Sequence, residues 1–148
     1  MEELMVMNET TQYISIYMAG EIYGIDIKYV DNIVRMQHIT RVPNVPAHIK
    51  GVINLRGEVI PVFSLRIKMG LEEIEEKKSF RIIILKVDGD LVGIIVDEVR
   101  EVVRLDNELI EKPYYDSNES SQNLLCGIGK DGDRLISLLD INEGLSDK

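Results

Sequence analysis

Four glycine-containing turns divide this sequence into short apolar runs, and they constrain its fold more than any other feature. They are Ala19-Gly20-Glu21, Leu55-Arg56-Gly57-Glu58, Asp88-Gly89-Asp90 and Lys130-Asp131-Gly132-Asp133. Glycine adopts the left-handed backbone of tight turns at little steric cost, so each turn indicates a hairpin of two antiparallel strands. The sequence therefore predicts an all-β protein built from many short strands.

The composition of the apolar runs supports this fold class. The 148 residues include no Trp and only two Phe, so the core must consist mainly of Ile, Val and Leu. Branched side chains pack well on pleated sheets. Many short strands favour closed or partly closed small barrels, because closure removes exposed sheet edges.

The length suits one domain, and we expect residues 1–148 to form a single domain of two barrel halves. A charged connector at residues 72–78 is the best candidate for the boundary between the halves. Polar residues at 113–123 predict a loop, and a further short helix is expected to start near Asp140.

One or two short helices are expected in the whole chain, and two of the candidates lie in the first half. Asp26 is a good cap for a helix over residues 27–35, and Ser64 for a helical turn that ends at Gly70. A short strand is expected at residues 39–42. In the first helix the apolar side chains recur at helical spacing, which fits either a core face or an exposed docking face for another helix.

The charge of the chain excludes two classes of partner. The formal net charge is −9, whereas nucleic-acid binding and attachment to anionic membranes depend on clustered cations. We therefore expect no nucleic-acid partner and no direct membrane contact. With one cysteine, no signal-peptide pattern and no apolar run approaching the ~20 residues of a membrane span, the sequence predicts a cytoplasmic protein.

Catalytic and metal-binding patterns are not recognisable. His38 and His48 are ten positions apart without further ligands at metal spacing, so no metal or cofactor is expected. Asp97 and Glu98 are neighbours that a strand would point to opposite faces, which is a poor arrangement for an acid–base pair. Cys126 lies in an apolar run and is expected to be a buried, inert thiol. The prediction is a protein that is not an enzyme.

Arg56 is the one side chain whose setting suggests a functional contact. It stands at the tip of a hairpin whose two strands are apolar. Guanidinium groups recognise carboxylates and carbonyls on partners, but most turn arginines are simply solvated. The residues alone leave both interpretations open.

Three segments together resemble a known family. These are Tyr23-Gly24-Ile25-Asp26-Ile27, the block from Pro46 to Gly57 that contains Ile49-Lys50-Gly51-Val52-Ile53-Asn54-Leu55-Arg56-Gly57, and Val92-Gly93-Ile94-Ile95-Val96-Asp97. They are similar to the bacterial chemotaxis coupling proteins of the CheW family. The resemblance extends from about residue 12 to residue 145.

The resemblance implies both a fold and a function. The fold would be two packed, five-stranded SH3-like β-barrels. The function would be that of a non-enzymatic adaptor, which couples the cytoplasmic tips of chemoreceptors to the regulatory domain of the histidine kinase CheA. The alternative is a CheW-like module of a receptor–kinase pathway outside motility.

The resemblance also implies site residues. The receptor-binding groove would contain Val30, Ile33, Gly51, Arg56, Val99 and Val102. Kinase contacts would fall on the strand opening at Phe80 and Arg81. Asn32 occupies a position where many relatives carry an acidic residue, so a charge contact there is not carried over to this chain.

Overall fold

Left-handed residues form the turns between the strands, as the sequence predicts. The computed structural model describes residues 9–112 and 124–141. Two consecutive positive φ angles occur at Ala19–Gly20, Arg56–Gly57 and Asp88–Gly89, and a single one at Gly132. Paired left-handed residues match the right-handed twist of the flanking strands, so each of these turns closes a hairpin.

Ten strands and one short α-helix make up the described fold. The strands are β1 (Thr10–Met18), β2 (Glu21–Asp26), β3 (Val30–Arg35), β4 (Ile49–Leu55), β5 (Glu58–Ser64), β6 (Arg81–Val87), β7 (Asp90–Val96), β8 (Glu98–Asp106), β9 (Leu125–Asp131) and β10 (Arg134–Leu139). Helix α1 spans Leu65–Lys68, and single 3-10 turns span Ile27–Tyr29 and Asn107–Leu109.

The strands form two five-stranded SH3-like barrels. Barrel 1 has the order β8-β1-β2-β10-β9, and barrel 2 has the order β3-β6-β7-β5-β4. An isolated bridge closes each barrel between the segment after its first strand and its last strand. Thr40 and Val52 exchange backbone hydrogen bonds of 2.8 and 2.9 Å in barrel 2, and Glu111 and Ile128 exchange bonds of 3.0 and 2.7 Å in barrel 1. The predicted fold class is confirmed.

The two barrels repeat one topology. Strands β3, β4, β5, β6 and β7 correspond in order to β8, β9, β10, β1 and β2. In both barrels one pair is parallel, β5 with β7 and β2 with β10, and the other pairs are antiparallel. The chain is thus an internal repeat at the level of strand order.

The predicted boundary between the halves needs correction. Residues 72–78 lie between α1 and β6, and the strands on either side of them, β5 and β6, belong to barrel 2. Barrel 2 is one continuous stretch, whereas barrel 1 combines β1 and β2 with β8, β9 and β10. The connector therefore does not separate the barrels.

The predicted helix over residues 27–35 is wrong. Only Ile27–Tyr29 is helical, as a 3-10 turn capped by the Asp26 carboxylate, which accepts from the Lys28 N–H at 3.0 Å. Residues 30–35 form β3, whose pairing with β6 shifts by one residue between Val30 and Asn32. That bulge gives a strand the apolar spacing of a helix.

Other local predictions vary in outcome. The Ser64 cap is confirmed, because its hydroxyl accepts from the Ile67 N–H at 3.2 Å at the start of α1. No strand forms over residues 39–42, where Thr40 makes only the closing bridge. The loop predicted at 113–123 lies outside the described residues, as does all but the first part of the helix predicted near Asp140.

The largest apolar cluster lies between the barrels and is called here the seam cluster. Leu65 of α1 and two residues that flank β9 and β10, Leu124 and Ile141, belong to it. Its other buried members come from strands of both barrels, and they are Ile14, Ile16, Met18, Ile25, Phe63, Ile83, Leu85, Val87, Ile94, Val96 and Leu139. Each barrel also has a smaller interior cluster. The seam cluster joins the barrels into one domain because it removes apolar surface of both from water.

Candidate partner-binding site at the seam

Three of the predicted groove residues meet at the seam cluster. Val30 and Ile33 on β3 and Val99 on β8 are each partly buried and pack against it. Val102, further along β8, is 49% exposed. The structure therefore places four apolar side chains, graded from half-buried to exposed, along the two strands that border the seam.

The two strands hold these side chains at equivalent positions of the repeat. Val30 pairs with Leu85 and Ile33 with Ile83 in barrel 2. In barrel 1, Val99 pairs with Ile16 and Val102 with Ile14. All four partner residues belong to the seam cluster. The site thus has two similar walls, one from each barrel, which sequence reasoning did not anticipate.

A bulge shapes each wall. In barrel 2 the Asn32 side-chain oxygen accepts from the Ile33 N–H at 2.8 Å. In barrel 1 the buried Ser15 hydroxyl donates to the Glu101 carbonyl at 2.7 Å and accepts from the Glu101 N–H at 3.1 Å. The Asn32 side chain therefore bonds to its own strand backbone. The hydrogen bonds at the two bulges fix the directions in which the next apolar side chains, Ile33 and Val102, project.

Gly51 has a structural role that the sequence did not reveal. It is buried, with φ of 145°, and a Cβ there would lie 2.1 Å from the Thr40 carbonyl oxygen. Only glycine permits the close approach of β4 to the segment that closes barrel 2. Because Gly51 is buried, it can affect the predicted groove only through the closure of barrel 2 and not as a direct contact.

Arg56 occupies the position predicted from the sequence. It is exposed at the turn between β4 and β5, in the left-handed conformation with φ of 53°. The Asn54 side chain stabilises the turn by accepting from the Gly57 N–H at 3.1 Å. Within residues 9–112 and 124–141, the guanidinium of Arg56 forms no ion pair, so it is available to a partner.

The two residues predicted to contact the kinase differ in accessibility. Phe80 is buried, with 6% of its surface exposed, and it lies beneath the surface rather than on it. Arg81 opens β6 and is partly buried. Its Nη1 donates to the carbonyl oxygens of Lys78 and Phe80, both at 2.8 Å.

An ion pair near the seam was missed by sequence reasoning. Arg66 on α1 binds Asp97, with Nη2 to Oδ2 at 2.7 Å and Nε to Oδ1 at 3.0 Å. The side chains are only 14% and 15% exposed. The hydrogen bond to Asp97 raises the pKa of Arg66, and the guanidinium stays charged. Asp97 is therefore a structural ion-pair partner.

The thiol of Cys126 is placed differently from the prediction. The residue is exposed rather than buried, because it lies on the outer face of β9, with its sulfur 3.7 Å from the Leu139 carbonyl oxygen. Partial burial of the sulfur raises the pKa of the thiol above its ordinary value of 9.0, with Asp140 and Asp26 adding to the effect. A protonated thiol is a poor nucleophile.

Two structural observations concern metals and membranes. Among the residues that the structure describes, no three His, Cys, Asp or Glu side chains are grouped so that they could hold a metal ion. In the same ranges, 9–112 and 124–141, no helix is long and apolar enough to cross a membrane.

Comparison with known proteins decides the family. A family model described as the CheW-like domain matches residues 12–148. The chain belongs to the CheW family. Its relatives include the chemotaxis protein CheW of Helicobacter pylori, 35% identical over 135 residues, which are 91% of this chain and 81% of that protein. The CheW of Bacillus subtilis is 37% identical over 123 residues, 83% of this chain and 79% of that protein.

A solved CheW structure shares the whole architecture. The scaffolding protein TtCheW of Thermoanaerobacter tengcongensis superposes with a TM-score of 0.87 at 33% sequence identity, and the match covers 95% of both chains. The CheW fold therefore includes both barrels of this chain and the seam between them. The resemblance inferred from the three sequence segments is confirmed.

Proposed function

We propose that this protein is a chemotaxis adaptor, which couples the cytoplasmic tips of chemoreceptors to the histidine kinase CheA. The observation that carries the proposal is the match of residues 12–148 to the CheW-like domain, together with 95% coverage by a CheW structure described as a scaffolding protein. The adaptor performs no bond chemistry. It works in the cytoplasm and holds the kinase in a geometry through which receptor movements change kinase activity.

The receptor tip, a bundle of helical hairpins, binds along the seam. Val30, Ile33, Val99 and Val102 supply apolar contacts from the two walls. Helices dock on such surfaces through apolar side chains at helical spacing. Arg56 adds a cation at the hairpin tip, and Gly51 supports this surface through the closure of barrel 2.

The kinase binds on a different surface. Arg81 is the contact, and the buried Phe80 ring supports the start of β6 beneath it. Separate surfaces let one adaptor hold receptor and kinase simultaneously. Each contact need only be modest, because binding at two sites raises the effective concentration of the partners.

Calorimetry tests the kinase side directly. The protein is titrated into the purified regulatory domain of CheA from the same organism, and saturable binding at a ratio of one to one is expected. Absence of binding at high concentration would contradict the adaptor proposal and leave only the fold established.

A matched pair of variants tests the receptor side. Val102→Asp places a charge on the exposed wall of the site, whereas Val59→Asp does so on β5, where Val59 is 66% exposed. Both changes should leave the melting temperature nearly unaltered, since exposed substitutions shift stability by about 0.5 kcal/mol or less. Only Val102→Asp should weaken co-sedimentation with receptor fragments, and equal binding by both variants would exclude Val102 from the contact.

A further inference from the structure

A cleft beside β3 and β6 gathers four cationic side chains on an otherwise acidic protein. Arg35, Lys77, Lys78 and Arg81 line it together with Glu76, above the apolar side chains of Met36 and Phe80. The cleft encloses about 410 Å³. Over the whole chain 26 acidic residues outnumber 17 basic ones, so a local excess of positive charge runs against the composition.

The two arginines stand directly opposite each other. Arg35 at the end of β3 pairs with Arg81 at the start of β6 in the antiparallel register. Directly opposed residues project from the same face of a sheet, and like charges at such positions are destabilising. The fold therefore retains a repulsive pair that a carboxylate at either position would turn into an attraction.

None of the four cations forms an ion pair within the described part of the chain. Carboxylates form ion pairs elsewhere with Lys28, Lys50, Arg66, Arg100 and Arg134, but with none of these four side chains. Hydrogen bonds hold the backbone around them. The Phe80 N–H donates to the Lys77 carbonyl at 3.0 Å, and Arg81 Nη1 donates to the Lys78 and Phe80 carbonyls.

We propose that this cleft binds an acidic peptide segment of a partner protein. The cations provide charge-assisted hydrogen bonds to carboxylates, and the arginines provide planar donors suited to them. A short peptide fits better than a nucleic acid or a membrane, because the chain has a net charge of −9 and the four cations of the cleft are too few for the extended cationic surface that those partners need. An extended peptide presents every second side chain to the same face, about 7 Å apart, so two carboxylates can reach the row of cations.

The inference rests on the proposed function, because Arg81 is also the proposed kinase contact, and it adds the ligand chemistry of that site. Saturable kinase binding without peptide binding would overturn the inference alone, whereas peptide binding without kinase binding would overturn only the adaptor proposal. The probe is a fluorescein-labelled octapeptide of alternating glutamate and serine, followed by fluorescence anisotropy at low and physiological salt. A peptide with glutamine in place of glutamate is the control ligand. The expected result is saturable binding of the glutamate peptide only, weakening as salt rises.

Variants locate the binding. Arg35→Gln and Lys77→Gln should each weaken binding about tenfold, the loss of one charge-assisted hydrogen bond. Arg104→Gln, an equal change of charge at an exposed position of β8, should leave it unaltered. Equal losses in all three variants would show a general charge effect and overturn the proposal.

Arg35→Glu distinguishes a ligand-binding role of Arg35 from a structural one, because the two roles predict opposite changes in melting temperature. It replaces the repulsion with Arg81 by an attraction, so the melting temperature should rise while peptide binding is lost. A lower melting temperature together with lost binding would mean that Arg35 maintains the fold rather than the ligand site. Tighter binding of single-stranded oligonucleotides or phosphatidylserine vesicles than of the peptide would also overturn the proposal.

Discussion

Arg66 of helix α1 forms a bidentate ion pair with Asp97, at the point where the chain passes from barrel 2 to barrel 1. Asp97 is the single residue between β7 and β8. Arg66 also donates from Nη1 to the Glu72 carbonyl at 2.8 Å, so one guanidinium fixes both the crossover and the start of the connector to β6. The pair therefore controls the direction in which β8, one wall of the proposed receptor site, begins.

We expect Asp97→Asn to destabilise the protein by about 3 kcal/mol, because it leaves a largely buried guanidinium without its counter-charge. Urea unfolding measures the change. The double variant Arg66→Met with Asp97→Asn should be more stable than Asp97→Asn alone, since no uncompensated charge remains. Equal stability of the single and double variants would show that the pair contributes nothing through charge.

Gly51→Ala should cost more than Gly57→Ala, although both glycines have positive φ angles. A Cβ at Gly51 would meet the Thr40 carbonyl at 2.1 Å, while nothing lies within 4 Å of the one at Gly57. Backbone strain alone is expected to cost about 1–2 kcal/mol at Gly57, and the clash at Gly51 adds to it. Thermal unfolding of the two variants compares them, and similar melting temperatures would contradict the structural role of Gly51.

Arg56→Glu should abolish receptor-dependent activation of the kinase without changing the fold. In the proposed complex the Arg56 guanidinium is desolvated against the receptor, and disrupting such a buried charge contact costs about 2–5 kcal/mol of binding energy. Circular dichroism checks the fold, and phosphorylation of CheA in the presence of receptor fragments checks the activity. Normal activation by a folded variant would remove Arg56 from the site.

His48 should make the free energy of unfolding depend on pH below about pH 6.5. Its ring packs edge-on against Phe63 at 5.4 Å between centroids. Burial, together with the positive charge of Lys68, lowers the pKa of His48 below its ordinary value of 6.5. The folded state thus binds fewer protons than the unfolded state, so stability is complete above pH 6.5 and falls as the pH drops towards the lower folded pKa.

Replacing His48 by glutamine tests this dependence. The difference in unfolding midpoint between His48→Gln and the parent protein should shift in favour of the variant as the pH falls from 7.5 to 5.5. A difference that stays constant over this range would show that His48 titrates equally in both states.

The sequence correctly predicted structural features that depend on residues close together in the chain. Hairpin turns were predictable because glycine marks left-handed positions at Gly20, Gly57 and Gly89. The strand β3 was not, because a bulge between Val30 and Asn32 gives its apolar side chains a helical period. Cys126 was misplaced for a related reason, since an apolar run does not reveal which strand face points inward.

Long-range features lay beyond sequence reasoning. Arg66 and Asp97 are 31 residues apart, and nothing in either local pattern points to the other. The division of strands between barrels was likewise hidden, because β1 and β2 pair with strands from the far part of the sequence. Val30 and Val99 were predicted as groove residues from the family resemblance, and their equivalence in the repeat is visible only in the registers of β3 and β8.

The continuous make-up of barrel 2 has a consequence for synthesis on the ribosome. The β1–β2 hairpin emerges first, but its remaining partners β8, β9 and β10 follow only after all of barrel 2. Barrel 2 can close as soon as β7 has left the exit tunnel, since none of its strands comes from elsewhere. At that stage barrel 2 is folded, but its seam face is still exposed to water. The β1–β2 hairpin can dock on this face through Ile14, Ile16 and Met18 before β8, β9 and β10 are synthesised.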